Sequence, residues 1–185
     1  MVDPVGDGLD RSLEGAFTRP IPKSAQAQMK YLVKQLKGTR AVAQLLGVSQ
    51  RTVERYVKGQ LKRPRPDLRE RMEREVRKRW QPHVRARAKH KASTTDGLVL
   101  STRARFGFTA APGTTDDARV RDITQALTPQ WADRLFTARD AGATEQQLQR
   151  IAAEGLAEMY FRNNNTRAHG LGVEFTGIER IDIDL

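Results

Sequence analysis

Two adjacent hydroxyls, Thr114 and Thr115, stand in the stretch TAAPGTTDDARV, after a Pro-Gly turn and before Asp116 and Asp117. A hydroxyl held out at a turn is a nucleophile once a base takes its proton or a metal lowers its pKa. The same residues can also open a helix. A threonine N-cap accepts from backbone N–H groups, and carboxylates in the first turn favour the positive end of the helix dipole. Asp116 and Asp117 could hold a metal as a pair, but a helix start is the simpler account of adjacent acids there. Both roles of the threonines stay open on local grounds. The histidines add no metal chemistry: His83 and His90 lie in a basic tract and His169 in a Gly/Asn-rich loop, too scattered for a cluster. The absence of cysteine excludes disulfides, zinc-thiolate sites and a cysteine nucleophile. With no Gly-rich phosphate loop and no nucleophile elbow, nothing points to an autonomous nucleic-acid enzyme.

Charge is more informative. Residues 30–91 carry twenty Lys/Arg against five Asp/Glu, a net of +15, while residues 1–29 carry −1 and residues 92–185 carry −3. Excess positive charge confined to one third of the chain points to a polyanion, because Lys and Arg gain from phosphate contacts and counterion release. Inside this segment lies TRAVAQLLGVSQRTVERYVKG, residues 39–59. A helix-turn-helix needs a small residue where its helices touch, a glycine in the turn and apolar residues holding the crossing angle. Ala43, Gly47 and the set Val42, Leu46, Val48, Val53 and Tyr56 supply these, and Ser49 caps the second helix. Gln50, Arg51, Thr52 and Arg55 then occupy the outer face and early turns that enter the major groove. Arg51 and Arg55 suit guanine and Gln50 suits adenine, with phosphate as the alternative for each. Lys58, Lys62, Arg63 and Arg65 follow as backbone contacts.

The elements that must position these residues follow from periodicity. Residues 1–23, rich in proline and glycine, read as a flexible leader. Ser24 caps a helix carrying Ala25, Met29, Leu32, Val33 and Leu36, ended by Gly38. Helices then start at Thr39 and Ser49, and PDLRERMEREVRKRW gives another, with Leu68, Met72, Val76 and Trp80 four apart and Pro82 closing it. HVRARAKHK reads as a linker or a DNA-tracking arm. In LVLSTRARFGF the residues Leu98, Leu100, Thr102, Ala104, Phe106 and Phe108 alternate with Arg103 and Arg105, giving a strand with one wet side. Phe106 and Phe108 could stack on bases, but their place on the apolar face makes them core. TTDDARVRDITQAL predicts a helix, Thr128-Pro129 opens another, and Thr144 with Gln147 makes a capping box for a helix to about Phe161. GVEFTGIERIDIDL predicts a strand beside the first. The expected fold is mostly α with a small α+β part: a leader 1–23, a helix-turn-helix domain 24–82, a basic linker 83–94, and a mixed domain 95–185 with a few antiparallel strands. No run of about 18 apolar residues occurs, and the start lacks a secretory pattern, so a cytoplasmic protein without membrane partners is expected.

From MVDPVGDGLDRSLEGAFTRPIPKSAQAQMKYLV through the helix-turn-helix to the mixed domain, the chain resembles the telomere terminal proteins of Streptomyces-type linear chromosomes and plasmids. The resemblance covers the whole length and rests on the complete sequence more than on a short motif. It implies a protein covalently bound to 5′ ends of linear DNA. Replication leaves 3′ overhangs, a telomere-associated protein brings the terminal protein there, and a threonine hydroxyl takes the first deoxynucleotide from a DNA polymerase. The residue matching the family's acceptor is Thr114, with Thr115 left as the cap. The implied partners are telomeric DNA (duplex and 3′ overhang), the telomere-associated protein and the polymerase, which also supplies Mg2+ and the dNTP. Self-association is open, and the implied location is the nucleoid at replicon ends. Such a chain is a protein primer, not an enzyme. A helix-turn-helix transcriptional regulator, dimeric on a palindrome, and a non-covalent plasmid replication initiator are the alternatives.

Overall fold

The structure, a computed structural model, describes residues 4–109, 119–163 and 171–185. It is mostly helical, with one small three-stranded antiparallel sheet. The chain divides into two compact units: a helical unit, Thr18–Pro82, and a sheet unit built from Met1–Phe17 together with His83–Leu185.

In the helical unit, α2 (Ala25–Gln35), α3 (Thr39–Leu46), α4 (Gln50–Val57) and α5 (Pro66–Arg79) follow one helix of the other unit, α1 (Pro4–Gly15). Ser24 caps α2 by accepting from the Ala27 N–H at 3.2 Å. Met29, Leu32, Val42, Leu46, Val53, Met72 and Val76 are fully buried in one cluster, with Ala43, Tyr56 and Leu68 nearly so. Each large apolar side chain so buried contributes roughly 1.5–3 kcal/mol. Gln28, Tyr31 and Gln81 bring polar groups in with partners, as burial demands. The Gln28 amide donates to the Pro22 carbonyl at 2.9 Å, and the Tyr31 hydroxyl donates to the Arg79 carbonyl. The Tyr31 ring lies 4.7 Å from that of Trp80. Gln81, at a left-handed φ of 46°, accepts from the Thr18 N–H and hydroxyl and donates to the Arg19 carbonyl at 2.9 Å.

The sheet unit bears on three expectations, overturning the first and the last. The first is the leader. Residues Pro4–Gly15 form α1, whose Val5, Leu9 and Leu13, four apart, are at most 1% exposed in the sheet unit's core. Its first turn is held by a distant carboxylate: the Val5 and Gly6 N–H groups donate to the two Glu145 oxygens at 2.9 and 3.1 Å, a favourable charge at a helix N-terminus. Gly8 brings α1 so near the sheet that a Cβ there would lie 3.2 Å from Ile183. The second is the basic tract, which is α6 (Pro82–Lys91) followed by a π-helical turn at Ala92–Asp96. The third is the helix expected over TTDDARVRDITQAL, since Arg119–Leu127 is a strand, β2, and Thr114 to Ala118 lie outside the described residues. Ile123 and Leu127 face the core four residues apart, a spacing that suits helix and strand equally. Pairing with β1 (Leu98–Thr109) selects the strand.

The sheet order is β2-β1-β3, with β1 Leu98–Thr109 in the centre and β3 Gly172–Asp184 antiparallel to it as expected. Thr102 stands opposite Ile123 and Ile181, so β1's apolar alternation becomes the inner face. Phe106 is fully buried and Phe108 half-buried against the same core. The buried Thr102 hydroxyl donates to the Arg180 carbonyl at 2.9 Å, beside a register shift between β1 and β3. On the outer face Arg103 lies 2.7 Å from both Asp122 and Glu179, and the hydrogen bond to Glu179, then Asp122, hold its guanidinium above its usual pKa. α7 (Pro129–Asp140) starts at Thr128-Pro129, and α8 (Glu145–Leu156) starts at Thr144 with both hydrogen bonds of the capping box. A second π-helical turn, Ala157–Phe161, ends α8.

Candidate nucleic-acid interface

The crossing of α3 and α4 is set by local bonds. α3 ends with Gly47 at φ 62°; the Gly47 N–H reaches the Gln44 carbonyl and the Val48 N–H reaches the Ala43 carbonyl at 3.0 Å. This is the paired closure of a glycine-terminated helix. Ser49 then caps α4, accepting from the Thr52 N–H at 3.1 Å, with the two hydroxyls 2.9 Å apart. From the far side Gln26 donates to the Val57 carbonyl at 3.1 Å, tying α2 to the end of α4. Val53 and Tyr56 point inward and are buried, and burial alone holds the Tyr56 phenol above its usual pKa.

The outward face carries the residues expected there. Gln50, Arg51 and Arg55 are exposed, as are Lys58, Lys62, Arg63 and Arg65, which continue from the end of α4 to the start of α5. Thr52 is half-buried and its hydroxyl is engaged by Ser49, which makes it a capping partner. Arg40, on α3, is exposed as well and lacked a motif position to mark it. Glu54 also carries no sequence signal. It is half-buried on α4 and accepts from Gln50 Nε2 at 3.0 Å.

Pairing separates these cations from several others. Among the described residues, Arg51, Arg55, Lys58, Lys62, Arg63 and Arg65 take part in no ion pair. On α5, by contrast, Arg71 lies 3.0 Å from Asp67, and Arg79 pairs with Glu75. The α6 tract is tied down within its own unit: Arg85 to Asp10 at 3.1 Å, Lys89 to Asp140 at 2.5 Å and Lys91 to Asp96 at 2.6 Å. Asp10 also holds Arg139 at 2.8 Å. Of the tract read as a linker or a DNA-tracking arm, those three side chains are held by carboxylates, two of them far away in sequence. The helical unit holds eighteen Lys/Arg against five Asp/Glu, a net of +13, and the sheet unit fifteen against seventeen.

Thr114, Thr115, Asp116, Asp117 and His169 lie outside the described residues. His83 and His90 are both exposed on α6. Among the described residues no group of three or more His, Asp or Glu is placed to hold a metal ion, and no helix is long and apolar enough to cross a membrane. The sheet unit has an open cleft of about 430 Å³ beside α8 and β3, lined in part by Gln146, Arg150, Arg162, Glu174 and Phe175, none of which carried a sequence motif. Comparison with protein-family models, curated proteins and solved structures finds no match to this chain.

Proposed function

We propose that the chain binds duplex DNA through the helical unit and serves as a protein primer and cap at the ends of a linear replicon. The observation that carries the DNA-binding part is the α4 face, where Arg51, Arg55 and Lys58 stand exposed and outside any ion pair, beside a glycine turn and a serine cap. A surface of unpaired cations, where α5 pairs its Arg71 and Arg79, suits phosphate and base contacts. The priming part rests on the resemblance of the whole sequence to telomere terminal proteins.

In that role the Thr114 oxygen attacks the α-phosphorus of a deoxynucleoside triphosphate. A Thr–O–P bond forms, pyrophosphate leaves, and the hydroxyl proton passes to a base on the polymerase. The polymerase also supplies the metal ions and carboxylates. The test is labelling with a radioactive deoxynucleotide in the presence of polymerase and telomeric template. Thr114→Ala is expected to abolish the label while leaving duplex binding unchanged, Thr114→Ser to keep part of it, and Thr115→Ala to keep it. Wild-type labelling of Thr114→Ala would place the acceptor elsewhere. A regulator or a non-covalent initiator is told apart by extraction: covalently capped ends keep the protein through detergent and enter a gel only after protease.

A further inference from the structure

Between residues 18 and 66 the chain carries twelve Lys or Arg and a single carboxylate, Glu54. That carboxylate sits on α4, among Arg51, Arg55 and Lys58. A negative charge on a phosphate-facing surface weakens binding to every DNA sequence alike, so affinity does not account for it. Neither does ion pairing. Lys58 lies four residues on, at a favourable spacing, yet among the described residues Glu54 makes no ion pair. Its contact is the Gln50 amide, which donates from Nε2 to Glu54 Oε1 at 3.0 Å.

This contact has a consequence for what Gln50 can read. A primary amide donates from its nitrogen and accepts at its oxygen, whereas a carboxylate only accepts. Glu54 therefore dictates which end of the amide faces it, leaving the oxygen and the second N–H for another partner. A neighbouring acceptor and donor match the adenine edge in the major groove, which offers the N6 amino group and N7. We infer that Glu54 is a positioning residue that fixes the Gln50 amide for adenine, trading general affinity for discrimination at one base pair. The inference rests on the DNA-binding reading of α4. Arg51 and Arg55, on the adjoining row of the helix, supply the attraction that Glu54 subtracts.

The test exposes the full chain to duplexes randomised over the binding site and sequences the bound fraction. Wild type is expected to prefer adenine at one position by about tenfold. Gln50→Ala and Glu54→Ala should each remove that preference at the same position, and the double variant should remove no more. Glu54→Gln, whose amide can donate as well as accept, should relax it too. Glu54→Ala should also bind a non-specific duplex more tightly than wild type, which loss of a mere helix-surface hydrogen bond would not produce. An unchanged adenine preference in Glu54→Ala overturns the inference. So does relaxation at a different base pair from Gln50→Ala, or a wild type that binds without base preference. In each of those cases duplex binding itself stands. A wild type that binds no duplex at low salt removes the DNA-binding reading, and the inference with it.

Discussion

The α4 surface of the helical unit and the α6 tract of the sheet unit handle positive charge differently. In the sheet unit Arg85, Lys89, Lys91, Arg103, Arg134 and Arg139 each meet a carboxylate, several of them from distant parts of the chain. In the helical unit the cations of α4 and the segment after it meet none among the described residues. Net charge along the sequence does not separate these cases, since HVRARAKHK is as basic as any stretch of the helical unit. The distinction is whether folding brings an acid to the cation. A paired cation has little left to offer a phosphate. An unpaired one keeps its full charge for the phosphates and the counterions they release.

The sharpest way to break this comparison is to neutralise each group separately. Replacing Arg51, Arg55 and Lys58 together with Gln is expected to weaken duplex binding a hundredfold or more, at about 1–3 kcal/mol for each side chain that reads a base. Titration at two salt concentrations would show it. Replacing Arg85, Lys89 and Lys91 with Gln should leave duplex affinity nearly unchanged and lower the Tm. If the second set costs as much affinity as the first, pairing does not predict DNA contact.

Next in size is Gly97→Ala. Gly97 has φ 74°, and a Cβ there would sit 2.1 Å from the Leu127 carbonyl oxygen, so backbone must move. A loss of about 2–4 kcal/mol is expected in denaturant unfolding, reported by Trp131 of the sheet unit rather than Trp80 of the helical one.

Tyr31 gives the helical unit an alkaline limit. Burial raises the phenol's pKa above its usual value of 10.0, opposed by the charge of Arg79. A raised folded pKa means stability that is complete below the unfolded pKa and lost as pH rises through the folded one. Unfolding of the helical unit should therefore become easier above about pH 10, and Tyr31→Phe should flatten that dependence. The smallest change expected is a gain. Lys37 follows α2 with φ 55°, a conformation costly for any residue with a Cβ, so Lys37→Gly should stabilise the unit by roughly 0.5–1 kcal/mol.

Elements marked by local chemistry are legible in the sequence. Ser24, Gly47, Ser49, Pro66 and the Thr144–Gln147 box mark helix ends through bonds to residues at most a few positions away, and β1 and β3 carry alternation. What the sequence hides depends on distant partners. Val5, Leu9 and Leu13 do show a helical spacing, but Pro4, Gly6, Gly8 and Gly15 dilute it. The helix forms because Glu145 and the sheet hold it. β2 reads as a helix because its core residues fit both periods. The outer face of α4 is visible as a pattern of cations. Glu54 is not, because a lone acid among bases carries no motif and its contact with Gln50 appears only once the side chains are placed.

The docking of α1 also sets an order of events during synthesis. α1 is made first, yet Glu145, Arg139 and Ile183, which hold it, come much later. The helical unit is contiguous, so it can fold while β3 is still unmade. Until residue 183 emerges, Val5, Leu9 and Leu13 have no finished core to enter. Such long-range closure is slow and leaves apolar surface open meanwhile. A chain stalled before β3 would thus display a folded helical unit and an uncovered amphipathic helix, the form most in need of a chaperone.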